Sequence, residues 1–143
     1  MKEISIKKYV RYLFGTAILV FILNKLYLRP WILENDAPDI FLIVTYSFPN
    51  LIEAVIGTLI LTGILLQTRQ YFNQKFSNLK DIHIYVLAVS LASIYVISQE
   101  LKFHNLGGNN FYDPNDLIAS IVGLMGTFVV IQNFGFVNKV EKE

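Results

Sequence analysis

The chain has no cysteine, which excludes disulfides, thiolate metal sites and a cysteine nucleophile. It has only two histidines, His83 and His104, one at each end of the same apolar run. If that run crosses a membrane, a hydrocarbon layer of about 30 Å separates them, so they do not make a two-histidine metal site. Charge is also scarce. Charged residues make up 16% of the chain, well below the quarter or so typical of soluble domains. The twelve Lys and Arg nearly cancel the eleven Asp and Glu, giving a net charge of +1. They form no dense basic patch, so nothing points to nucleic acid. Gly107-Gly108 is followed by Asn109-Asn110 rather than by the lysine and hydroxyl residue of a phosphate-binding loop. Ser98 and Ser120 lack the elbow motif of a catalytic serine. There is no internal repeat, low-complexity tract or soluble domain. These absences predict no resident metal and no cofactor.

What the chain does have is apolar sequence in runs. The hydrophobic share is 54%, and 143 residues suit one domain. A basic head with Lys2, Lys7, Lys8 and Arg11 leads into a first run whose later part holds Asn24 and Lys25. No small-x-small cleavage site follows, so this reads as an uncleaved span and not a signal peptide. Tyr27 and Trp31 suit an interfacial aromatic belt, and Lys25 and Arg29 can snorkel to the headgroups. Pro30 and Pro38 mark a loop. Residues 40–48 are apolar but too few to cross, since a span needs about 20 residues; they read as an interfacial or re-entrant piece, with Pro49-Asn50 as the entry to the next helix. The predicted fold is all-α, an integral-membrane four-helix bundle with spans at about 10–28, 49–66, 82–98 and 117–135.

Basic residues set the orientation. Nine of the twelve lie in the head, in the loop between spans two and three (Arg69, Lys75, Lys80) and in the tail (Lys139, Lys142). The positive-inside rule then places both termini in the cytoplasm. Seven of the eleven acids fall on the opposite side: Glu34, Asp36, Asp39, Glu53, Glu100, Asp113 and Asp116.

The stretch from Ser98 to Gly126 carries most of the candidate chemistry. Gln99 and Glu100 end the third span. Asp113-Pro114-Asn115-Asp116 opens the fourth, and Ser120, Gly123 and Thr127 follow Asp116 on one helix face, with Gly126 close by. Asp113 and Asp116 suit an N-cap and a first-turn acid; equally, two carboxylates three residues apart can bind a cation or polar headgroup, or act as an acid/base pair. Gly123, Gly126 and Thr127 suit close helix packing in lipid. Gln99, Glu100, Asp113, Asp116 and Ser120 are therefore the candidate ligand-binding residues. The partners expected are the lipid bilayer and either a second copy or another membrane protein.

Gln99, a glycine-containing loop, and then Asp113, Asp116, Ser120, Gly123 and Thr127 at their spacing resemble the VanZ-like family of small bacterial membrane proteins. Gln99 matches the family glutamine, Asp113 and Asp116 its acidic pair, and Gly123 its first helix glycine. The family glutamate falls at Val96, the family asparagine at Ser120, and the second glycine at Gly126 or Thr127. The resemblance covers about residues 95–127 and implies a multi-pass protein of the bacterial inner membrane. Its acidic cluster would face a polar lipid, a cell-wall precursor or a glycopeptide-related ligand. With no nucleophile and no complete metal-ligand set, a binding or accessory role stands ahead of an enzyme that uses Asp113 and Asp116. A small interaction subunit whose glycine stripe packs a partner is the other reading.

These readings depend on sidedness. A topology reporter fused after Glu143 should give a cytoplasmic signal; a signal from the opposite side would reverse the placement of the acidic loop.

Overall fold

Inside hydrocarbon, a backbone can satisfy its N–H and C=O groups only within a helix or a closed barrel. Each apolar run of this chain takes the helical solution. The computed structural model describes residues 4–72, 79–100 and 113–138. The elements are α1 (Lys8–Leu23), a π-helical turn (Asn24–Leu28), α2 (Arg29–Glu34), α3 (Asp39–Tyr71), α4 (Asp81–Glu100) and α5 (Pro114–Phe134). The first three form one continuous 27-residue unit, so four helical units are long and apolar enough to cross a membrane. Among the described residues there is no strand, only an isolated antiparallel bridge between Ile6 and Val137.

Two boundaries differ from the sequence reading, and both involve proline. Pro30 does not end the first span. It sits in the first turn of α2, directly after the π-turn. A proline inside a helix has no N–H for the carbonyl four residues back and its ring collides with that carbonyl. The wider π-turn of residues Asn24–Leu28 opens the backbone at the point where Pro30 would clash, and the helix continues to Glu34. Residues 40–48 are not a piece separate from the second span. They form the first turns of α3, which starts at Asp39 behind Pro38 and runs through Pro49 without a break. Pro49 costs one backbone hydrogen bond, and the packing of Thr45, Ser47, Ile52 and Ala54 on both sides of it keeps the helix in register. At 33 residues, α3 is about 50 Å long, well beyond the hydrocarbon thickness.

This long helix is the centre of the bundle, packing against α1, α4 and α5. Along its length α1 approaches only α3; at its first turn Tyr9 reaches the end of α5, its ring 5.8 Å from that of Phe134. The core has two parts. Val10, Leu59, Leu66, Ile84, Tyr85, Ile131 and Phe136 fill the end near the chain termini. Small residues bring the helices together at mid-depth, where Ala54, Ala92, Val96 and Leu124 meet. The tightest approach is at Gly123, where a Cβ would lie 2.5 Å from the Leu51 carbonyl oxygen and 3.0 Å from Ala54 Cβ. Gly123 of the fourth span is thus used inside the chain, against α3. Gly126 points away, with nothing within 4 Å of a Cβ placed there.

Both ends of the described chain meet at one end of the bundle. Lys7 N–H donates to Phe136 O at 3.1 Å and Asn138 N–H to Ser5 O at 2.8 Å. Tyr9 Oη donates to Gly135 O at 2.6 Å, and Lys7 Nζ donates to Phe134 O. Phe136 N–H donates to Tyr85 Oη at 2.9 Å. Gly135 makes the turn possible: its φ of 70° lies in the region that L side chains avoid. Beside this clasp, Arg69 holds the start of α4 through Asp81, 2.7 Å away, and through the Leu79 carbonyl.

Gly123→Leu should force α5 away from α3 and lower stability by about 1–3 kcal/mol or more, the usual cost of overpacking. Gly126→Leu should change it by less than about 0.5 kcal/mol, as an outward-facing site allows. Thermal unfolding of the two variants in detergent tests the contrast, and equal losses would refute this account of the α3–α5 contact.

Candidate functional site

The start of α5 separates the two aspartates into different tasks. Asp113 is the N-cap, with extended backbone (φ −116°, ψ 115°). Its Oδ1 accepts from both the backbone N–H and the side-chain Nδ2 of Asn115, each at 2.9 Å. Pro114 occupies the first helical position, where its missing N–H costs nothing. Asp113 is therefore committed to starting the helix. Asp116 sits in the first turn, and its Oδ1 is buried with no hydrogen-bond partner. One turn further on, Ser120 is 1% exposed and its Oγ is also without a partner.

That hydroxyl is handled differently from several others in the bundle. In a spanning helix, a serine or threonine normally donates to a carbonyl of the preceding turn. Thr58, Thr62, Ser93 and Thr127 each do so, to Ala54, Thr58, Val89 and Gly123, at 2.7–2.8 Å. Ser120 does not. Neither does Ser47 on α3, which is 6% exposed and equally unpartnered. Helices α3 and α5 run in the same direction, since Gly123 lies against Leu51 and Ala54 while Phe136 lies against Gly63. Ser120 is three residues before Gly123, and Ser47 is four before Leu51, so both lie about one turn beyond that contact, on the side of Asp116. Ser47 is the residue that sequence reasoning missed. It shares a face with Ala54, Thr58 and Thr62, a stripe that becomes visible only once residues 40–48 are read as part of the same helix as residue 54.

The other predicted residues are placed differently. Gln99 is exposed near the end of α4 and donates from Nε2 to Tyr95 Oη at 3.0 Å, one turn back on its own helix. Glu100 closes α4, and its side chain lies outside the described residues, as do His104, the Gly107–Asn110 loop and Lys75. Glu53 and His83 are exposed, on α3 and at the start of α4. Thr127 is buried one turn after Gly123, which accepts its hydroxyl. Among the described residues, no group of three His, Cys, Asp or Glu is arranged to hold a metal ion. The structure therefore places Asp116 and Ser120 on consecutive turns of α5, puts Ser47 of α3 at about the same level, and shows Asp113 as the N-cap.

The fold defines a multi-pass α-helical membrane protein whose outward apolar side chains, such as Leu19, Ile64, Ile94 and Met125, contact lipid. Compared with protein-family models, curated proteins and solved structures, the chain matches none.

If Asp113 acts as a cap, Asp113→Ala should cost about 1 kcal/mol of stability. Asp113→Asn should keep nearly all of it, because asparagine caps as well as aspartate. Unfolding midpoints in detergent measure both, and equal losses would show that the negative charge, not the cap, is what position 113 supplies.

Proposed function

We propose that this chain is a VanZ-like polytopic protein of the bacterial inner membrane. In this reading both termini are cytoplasmic, and the end of the bundle that carries Asp116 faces outward. There it binds the polar head of an envelope lipid, a lipid-linked cell-wall precursor or a glycopeptide-related ligand, in a binding or accessory role. The observation that carries the proposal is the pair of unspent buried oxygens, Asp116 Oδ1 and Ser120 Oγ, on consecutive turns of α5. Buried polar atoms in native structures are nearly always satisfied, so an orphaned cluster calls for a ligand or solvent partner. A carboxylate beside a hydroxyl suits a head that donates hydrogen bonds. The order of Gln99, Asp113, Asp116 and Gly123 along the chain supports the family reading, and the pairing of residues 5–7 with 136–138 at one end supports both termini sharing a side. The committed role of Asp113 weighs against an acid/base pair, and the internal use of Gly123 weighs against a glycine stripe reserved for a partner.

In a bacterial strain whose own copy is deleted, sensitivity to glycopeptides and other cell-wall agents should change. The wild-type chain should restore it. Asp116→Asn combined with Ser120→Ala should insert at normal levels and fail to restore it. Full restoration by the double variant would remove Asp116 and Ser120 from the function.

A further inference from the structure

A second site lies on a different pair of helices, between the π-turn and the start of α3. A side groove of about 690 Å³ runs there, walled by Leu23, Trp31, Val44 and Phe48. Its volume is that of an ordinary small-ligand pocket. The walls are almost wholly apolar, but the floor is not: Asn24 and Thr45, each 3% exposed, both line it. Asn24 Oδ1 is buried with no hydrogen-bond partner. Pro49, one turn after Thr45, has no N–H to give the Thr45 carbonyl, so α3 lacks one i→i−4 bond at this level. An unpartnered amide at this depth is costly in lipid. The π-turn is also the irregular kind of helix often found at functional sites, and Asn24 opens it. Arg29, just past the turn, stacks its guanidinium 4.2 Å over the Tyr46 ring and ties α2 to α3. At the upper rim the charged group is a carboxylate, Glu34, which disfavours an anionic head.

We infer that this groove binds a lipid alcohol: a long apolar body lying along Leu23, Val44 and Phe48, with a hydroxyl that donates to Asn24 Oδ1 on the floor. The surroundings are membrane, so an apolar chain is the natural occupant of the walls. The unspent Asn24 Oδ1 is what selects a donor over an ordinary acyl chain, since neither methylenes nor ester oxygens can donate to it. About seven residues separate Asn24 from the interfacial Trp31, a rise of about 10 Å. The occupant's hydroxyl therefore lies below the headgroup level, where it has no competing water. Nothing in this inference depends on Asp116 or Ser120, so it stands or falls separately from the proposed function.

The test uses the full-length protein in vesicles of phosphatidylethanolamine and phosphatidylglycerol, with a diazirine-bearing long-chain alcohol and, as a matched probe, its methyl ether. The alcohol should label residues of the groove about tenfold more than the ether, the discrimination of one buried hydrogen bond. Asn24→Leu should abolish that preference while leaving helicity and elution unchanged. Val44→Trp, at a lipid-facing position, fills the groove without touching the core and should suppress labelling by both probes. Equal labelling by alcohol and ether would overturn the inference and leave the groove as a general lipid contact. Cross-links from the groove to a second copy, in place of the probe, would overturn it in favour of a self-association surface.

Discussion

The bundle rests on the absence of a side chain. At position 123, α5 comes so close to α3 that the Leu51 carbonyl oxygen occupies the space a Cβ would need. Helices in lipid gain nothing from the hydrophobic effect when they associate, so contact must come from close packing and short-range attraction. Gly123, with Ala54 and Ala92 beside it, supplies that closeness at mid-depth, and the larger side chains Leu66, Ile131 and Phe136 fill the space where the helices diverge toward the chain ends. The position of every polar residue on α5 follows from this register. Thr127, one turn in one direction, satisfies its hydroxyl on Gly123 itself. Ser120, one turn in the other, does not, and faces the level of Ser47.

The spans were legible in the sequence because hydropathy over about twenty residues is a signal that survives any detail of packing. The start of α5 was legible for a similar reason: Asp-Pro-Asn-Asp before an apolar run has few other uses, and Asp113 caps as that pattern predicts. What sequence reading lost was decided by tertiary context. Pro30 and Pro49 are helix breakers in isolation, yet a π-turn absorbs one and packing on both sides absorbs the other. Treating residues 40–48 as a separate piece hid Ser47, because a stripe of Ser47, Ala54, Thr58 and Thr62 exists only if the helix is continuous. The difference between Ser120 and Thr127 was also beyond reach. Both are hydroxyl residues on one face, and only the folded chain decides which one bonds back to its own helix.

The first helical unit has a different character from the rest. It leans on α3 alone along its length and leaves Leu19, Ile22, Leu26 and Tyr27 outward. Its irregularity is concentrated where it carries Asn24, and that is also where it meets the part of α3 that precedes Pro49. A π-turn and a proline-containing stretch thus face each other across a groove. Regular helices would have closed this gap with ordinary side-chain packing.

The pairing of the two chain ends has a consequence for biogenesis. Its hydrogen bonds join residues 126 to 133 positions apart, so none can form until the last helix has been synthesised and inserted. The segment before α1 therefore has none of these partners until α5 is in place. Closure therefore follows insertion of the fourth span, and a chain halted before that span would lack the latch.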